Sequence, residues 1–147
     1  VKIYFNTVVQ KDLKTVKAGF TKDLFKALKP PGVSLEIEKF DGCTVGSEVH
    51  LKIKSVGPSQ KWVSLITEEK TDADQWYFID EGRVLPWPLT SWKHVHRVIA
   101  IDEKSSTIID DITYECAHPL VSVIFYPALW FSFSFRPARY KTFFEGT

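Results

Sequence analysis

From residue 33 to Cys116 the chain alternates apolar and polar side chains. Val33, Leu35 and Ile37 oppose Ser34, Glu36 and Glu38, and Val49, Leu51 and Ile53 oppose His50, Lys52 and Lys54. Successive side chains of a strand point to opposite faces, so a period of two predicts strands that are apolar on one side and wet on the other. Turn-forming residues punctuate the pattern at Asp41-Gly42, Val56-Gly57-Pro58-Ser59, Thr71-Asp72-Ala73-Asp74, Glu81-Gly82 and Glu103-Lys104-Ser105-Ser106. Breaks at hairpin spacing predict an antiparallel meander of six strands.

The flanks follow a different period. Lys2 to Gln10 is β-rich and predicts a first strand that closes or curls the sheet. Lys11 to Ala18 places Leu13 and Val16 at helical spacing, with Gly19 positioned to stop a short helix. Thr21 is a candidate cap for a second helix whose apolar residues Leu24, Phe25 and Leu28 share a face before Pro30-Pro31-Gly32 ends it.

Beyond Cys116 the chain carries no Asp, Glu, Lys or Arg until Arg136, and aromatic residues crowd together. Tyr126, Trp130, Phe133, Pro137, Tyr140 and Phe144 recur at alternating steps of four and three, the stripe of one long helix laid against the sheet. Pro127 suits its first turn, while Pro137 removes a hydrogen bond, so the helix is expected to bend or break near Arg136-Pro137. The uncharged run reaches the length of about 20 residues that spans a bilayer. His118, Ser122, Ser132, Ser134 and the prolines oppose that reading, as does the sheet's need for a cover, so no stable membrane insertion is expected.

At 147 residues the chain is expected to form one domain spanning 1–147, large enough for a core without metal or disulfide staples. Nineteen Lys and Arg against 18 Asp and Glu give a net charge of +1 and no general field for phosphate backbones, so nucleic acid is not an expected partner. The lysines of the first thirty residues fit the solvated faces of short helices. Cys43 and Cys116 have no metal-ligand spacing and suit a reduced, cytoplasmic protein. Val1-Lys2-Ile3-Tyr4-Phe5 runs directly into a strand with no leader visible, and the missing initiator Met fits a trimmed start. A monomer or homodimer is expected.

The stretch from Phe78 to Arg97 concentrates the candidate chemistry. A strand is expected to end in the acidic turn at Asp80-Glu81-Gly82, the loop Pro86-Trp87-Pro88 follows, and the next strand carries Trp92, His94 and His96 on one face. Lys93 and Arg97 favour solvent, which sends the histidines inward. On the following strand Ile108, Asp110, Ile112 and Tyr114 share the likelier interior face, so Asp110 comes within reach of His94 or His96. An imidazole beside a carboxylate serves as a satisfied buried pair, a ligand anchor or a proton acceptor. His94 and His96 with Asp80 or Asp110 offer nitrogen and oxygen ligands, but no HExxH, no CxxC and no third histidine at useful spacing accompanies them, and no metal is expected. No Gly-x-Ser-x-Gly elbow, GxGxxG or Walker loop is present, so no nucleotide cofactor or other cofactor is expected.

Several segments carry a family resemblance: Phe40-Asp41-Gly42 with Gly46-Ser47-Glu48-Val49, Asp80 before Pro86-Trp87-Pro88, Trp92-Lys93-His94-Val95-His96-Arg97, Ile109-Asp110-Asp111-Ile112-Thr113-Tyr114, and Phe135-Arg136-Pro137-Ala138-Arg139-Tyr140. With the order of elements, they resemble the START and birch-pollen-allergen-like superfamily, also called SRPBCC, whose bacterial ligand-binding members are similar in the Trp-x-His-x-His strand and the Asp-containing strand after it. The resemblance implies an α+β helix-grip fold: a seven-stranded curved antiparallel sheet wrapped around a long C-terminal helix, with two short helices after the first strand. It implies a cavity between sheet and helix that binds or carries a hydrophobic or amphipathic small molecule, lipid-like or polyketide-like. Residues expected to meet such a ligand are Phe78, Trp87, Trp92, His94, His96, Asp110, Ile112, Tyr114, Tyr126, Trp130 and Phe133. Trp87, stiffened by its prolines, is a candidate gate at the rim, against a tryptophan folded down on apolar surface. Two other readings stay open. One is a cyclase- or isomerase-like enzyme with His94, His96, Asp80 and Asp110 as acid–base groups; the other is a protein-interaction module with a filled interior.

Overall fold

The computed structural model describes residues 1–54 and 56–146. Strand β1 (Lys2–Val9) leads into helices α1 (Leu13–Ala18) and α2 (Lys22–Ala27). Strands β2 (Ser34–Phe40), β3 (Glu48–Lys54), β4 (Gln60–Thr71), β5 (Gln75–Val84), β6 (Leu89–Ala100) and β7 (Ser106–Cys116) follow, then helices α3 (Pro119–Phe133) and α4 (Arg136–Glu145). The seven strands form one antiparallel sheet in the order β1-β7-β6-β5-β4-β3-β2. Six of them are a meander, and β1 returns to pair with β7, Ile3 opposite Ile112. Register shifts interrupt the ladders β2/β3, β4/β5 and β6/β7, and such bulges bend and twist a sheet. The curled face holds the C-terminal helices, α3 against β7 and α4 against β1. This is the helix-grip architecture.

Side-chain parity explains how the interior is divided. On β7, Ile108, Asp110, Ile112, Tyr114 and Cys116 are buried, and on β6, Leu89, Trp92, His94, His96 and Val98 are buried. One apolar cluster gathers Val9, Val16, Phe20, Leu24, Trp76, Phe78, Val98, Ile108 and Tyr140. A second gathers Ile3, Leu89, Trp92, Ile112, Tyr114, Cys116 and Leu129. Between them, on every element that crosses the interior, sits a polar residue: Asp80 after Phe78, His94 and His96 between Trp92 and Val98, Asp110 between Ile108 and Ile112, and Arg136 between Leu129 and Tyr140.

Four local expectations are corrected or, at Gly19, borne out for a different reason. Glu81-Gly82 is no turn but lies inside β5; Gly82 is there because a Cβ would stand 2.5 Å from the Leu85 side chain. Gly19 does end α1, but with φ −81°, so no left-handed conformation requires it. Instead the ring of Phe144 occupies the place of its missing side chain. Thr21 stands at the N-cap of α2 without capping it, since its hydroxyl donates to the Gly19 carbonyl at 3.4 Å.

The fourth correction concerns the tail. The helix begins at Pro119, capped by His118 Nδ1, which accepts from the Leu120 N–H at 3.1 Å, so Pro127 lies in its interior rather than its first turn. It breaks at Ser134-Phe135, two residues before the expected place. Pro137 has no N–H for the Phe133 carbonyl, so the helix restarts with Pro137 in the first turn of α4, where no partner is needed. The stripe that faces inward runs through Ser122, Phe125, Leu129, Phe133, Arg136 and Tyr140 rather than Tyr126 and Trp130. Helix α3 is apolar all round, leaving Leu120, Val123, Ile124 and Phe131 exposed, so composition did not determine which stripe turns inward. Among the described residues, no helix is long and apolar enough to cross a membrane. Both cysteines are unbridged.

The packing at Gly19 yields a test. Gly19→Ala drives a methyl group into the Phe144 ring, and is expected to lower unfolding free energy by about 1–3 kcal/mol in a denaturant titration, despite alanine's better helix propensity. Pairing it with Phe144→Leu restores most of the loss.

Candidate functional site

Three strands and the helix break converge on one buried cluster. Asp110, 1% exposed, accepts hydrogen bonds from His94 Nε2 at 2.8 Å, Arg136 Nη1 at 2.8 Å and Tyr140 Oη at 3.3 Å. Asp80 Oδ2 accepts from His96 Nε2 at 2.6 Å, and His94 Nδ1 lies 3.8 Å from the same oxygen. The two imidazoles stack at 3.6 Å between ring centres, His96 stacks on Phe78 at 4.3 Å, and the Arg136 guanidinium covers the Phe133 ring at 4.7 Å.

The electrostatics follow from burial against pairing. For Asp110, burial works to raise the pKa, but the Arg136 charge and the His94 hydrogen bond outweigh it and hold the carboxyl well below the usual range. Asp80 is likewise lowered: burial opposes ionisation, and the His96 hydrogen bond with the nearby His94 and Arg136 prevails. His96 is pushed down to about 4 by burial and by His94. Burial tends to lower the Arg136 pKa, yet Asp110 and Tyr140 raise it. Tyr140 is raised by burial and by Asp110. Ionised carboxylates only accept, so the Nε2 of each imidazole donates. His96 is therefore left with a buried Nδ1 lone pair that has no partner among the described residues.

The cluster closes one end of a cavity of about 270 Å³. Its other walls are the apolar faces of β2 and β3 (Leu35, Ile37, Val49, Leu51, Ile53), Phe25 and Leu28 from α2, Trp62 from β4, and Phe125, Leu129 and Phe133 from α3. Of the residues expected to meet a ligand, Phe78, Trp92, His94, His96 and Phe133 are on the wall, with Asp80 beside them.

The others are elsewhere. Asp110 lies one layer behind, bonded to His94 and Arg136. Ile112 and Tyr114 face inward, but the first turns of α3 fill the space above them, the Tyr114 hydroxyl donating to the Ser122 carbonyl at 2.8 Å. Tyr126 packs against that same cluster, and Trp130 turns outward to meet Phe5 at 5.6 Å. Trp87 is 81% exposed and off the wall, so it is not folded down on apolar surface, and its neighbour Pro86 lines the cavity.

Sequence reasoning did not single out Arg136 or the aliphatic wall of β2 and β3. Arg136 carried a signal, being the first charge after the uncharged run, and the alternation marked the aliphatic face. One donor atom each from Asp80, His94 and His96 lies within 4.8 Å of the others, close enough to converge on a metal ion. Cys43 also lines the cavity; burial, Glu69 and Asp80 push its thiol up to about 12, which removes it as a thiolate nucleophile.

No protein-family model matches the chain, and no curated protein matches it in sequence. Solved structures match over nearly its whole length. A START superfamily protein from Mycobacterium smegmatis matches at TM-score 0.63 and 11% identity, covering 94% of this chain and 95% of that one. The Zhui aromatase/cyclase from Streptomyces sp. R1128 matches at TM-score 0.62 and 15% identity, over 95% and 90%. Truncated norcoclaurine synthase from Thalictrum flavum matches at TM-score 0.67 and 14% identity, over 95% and 89%. The chain has the helix-grip fold of the START-like superfamily.

The cluster makes stability depend on acid. Between about pH 6.5 and about 4 the unfolded chain binds a proton at His96 that the folded chain refuses, so stability falls on acidification across that window by on the order of 3 kcal/mol. The lowered carboxylates extend the loss below it. Thermal melts from pH 7 to pH 4 are expected to show this descent, and His96→Phe to flatten it above pH 4.

Arg136→Met leaves Asp110 buried without its cation and is expected to cost about 3–5 kcal/mol in equilibrium unfolding. Combining it with Asp110→Asn recovers part of that, because the uncompensated charge is then gone.

Proposed function

We propose that the protein binds a compact apolar or amphipathic small molecule in the cavity bounded by β2, β3, α2 and α3. One observation carries this reading: Leu35, Ile37, Val49, Leu51 and Ile53 form an aliphatic surface that lines open space instead of a packed core. Leaving such a surface uncovered forgoes about 25 cal/mol per Å², which an apolar ligand restores. At about 270 Å³ the cavity sits at the lower edge of the roughly 300–1,000 Å³ typical of ligand pockets, so it suits a molecule of one or two rings better than a large lipid. An open interior also disfavours the interaction module with a filled core.

A second reading rests on the cluster at the cavity's end. His94, oriented by Asp110 at 2.8 Å, faces the cavity beside Asp80 and Arg136, a set able to move a proton and to stabilise a developing oxyanion. That is the chemistry a cyclase- or isomerase-like enzyme needs. Folds named as an aromatase/cyclase, a synthase and a START protein stand at similar distance from this chain, so likeness supports both readings equally.

The binding reading is tested with N-phenyl-1-naphthylamine, a neutral dye that brightens in apolar sites. Saturable binding is expected at micromolar concentration, and Leu51→Trp, which fills the cavity without adding charge, is expected to abolish it while thermal stability is kept. No saturation in the wild type, or undiminished binding in the filled variant, rejects the proposal. His94→Ala separates the two readings: a shift in affinity alone marks a binder, whereas lost turnover marks an enzyme.

A further inference from the structure

Asp80 carries an unused oxygen. Its Oδ2 takes the bond from His96, whereas Oδ1 has no hydrogen-bond partner among the described residues, and the side chain, 13% exposed, forms part of the cavity wall. Oδ1 is not among the buried atoms lacking a partner, so it reaches the open space of the cavity.

The charges around it do not balance. Arg136 also reaches the cavity; its Nη1 is committed to Asp110 at 2.8 Å and to the Tyr140 hydroxyl at 3.2 Å, its Nε and Nη2 have no hydrogen-bond partner among the described residues, and its one charge is shared between Asp110 and Asp80. Lys29, two residues beyond α2, is exposed and also borders the cavity. Among the described residues, the ion-pair contacts of Asp80 within 4.0 Å are the two imidazoles, and His96 is neutral at pH 7. A carboxylate on an apolar wall, short of one donor, is costly to keep dry.

We infer, building on the binding reading above, that Asp80 anchors the polar head of the ligand and selects a protonated amine on an apolar ring body, accepting a neutral hydroxyl less tightly and rejecting a carboxylate. The amine donates to Asp80 Oδ1, its ring rests on the aliphatic wall of β2 and β3, and Trp62 and Trp92 border it. A charge-assisted bond to a desolvated carboxylate is about twice as strong as a neutral one.

Three probes that share one ring and differ in head group test this by isothermal titration calorimetry: 2-naphthylmethylamine, 2-naphthalenemethanol and 2-naphthoic acid. The amine is expected to bind about tenfold more tightly than the alcohol, with the acid weakest. Asp80→Asn still accepts from His96, so the fold persists; it is expected to bring amine and alcohol within about threefold of one another while leaving alcohol binding in place. The inference is overturned if the acid equals or exceeds the amine in the wild type, or if the amine keeps its advantage in Asp80→Asn. Should the variant fail to fold, the wild-type order of the three probes decides alone. Dye binding without any amine preference rejects only this inference, whereas failure of the dye and of all three probes rejects the cavity reading itself.

Discussion

A guanidinium from the C-terminal helix lies against a carboxylate from the middle of β7, and the interior is arranged around that pair. Asp110 is 1% exposed, and an ion that deep persists only when its partners are close and well directed. Arg136 meets it at 2.8 Å, with Tyr140 and His94 completing its acceptor sites. The pair pins the start of α4, where Pro137 has restarted the helix, against the middle of β7, with Arg136 one turn before Tyr140. It also fixes the His94 tautomer, since an ionised Asp110 receives a proton from Nε2 and leaves Nδ1 facing Asp80.

The same constraint keeps the cavity from closing. A layer of charged and polar groups separates two apolar clusters, and neither cluster can spread through it without stripping water from Asp80 or the imidazoles. On one side the space is filled by Phe20, Trp76 and Phe78; on the other, by Trp92, Tyr114 and Leu129. Helix α3 packs mainly against β7 and α4 against β1, at the other end of the sheet from β2 and β3. Their aliphatic faces are left bordering open volume, with the polar layer at its end.

What could be read in the chain depended on whether a residue's neighbours were local. Trp92, His94 and His96 were legible as one face because alternation is built into a strand, and Asp110 came with them because adjacent strands of a meander pair by short turns. Asp80 was visible as a candidate although its strand runs on to Val84, since the residue's parity did not depend on where the strand ended. The tail resisted for the opposite reason. A helix that is apolar all round has no preferred stripe, so the larger rings Tyr126 and Trp130 looked like the inner face, and it is Phe125, Leu129 and Arg136 that turn inward. Arg136 was quoted as the place of a break and inside a family motif but not as a site residue, because the direction of a bend is set by tertiary contacts and not by the residues that permit it.

The geometry also limits what the polar layer can do. Nucleophilic chemistry through a thiolate is disfavoured by the raised Cys43, and among the described residues neither serine on the wall has an imidazole partner: Ser64 accepts from Trp62 Nε1 at 2.9 Å and Ser132 donates to the Ala128 carbonyl at 2.9 Å. His96 is clamped between Phe78 and His94, gives its one proton to Asp80, and holds its lone pair toward Asp110, 3.9 Å away, not toward the cavity. It is a positioning group. His94 and Asp80 remain as the groups that can touch a bound molecule with a free acceptor, and Arg136 as the cation behind them. Both readings of the cavity therefore draw on the same three residues, and what separates them is whether the ligand presents a bond that a proton transfer can break.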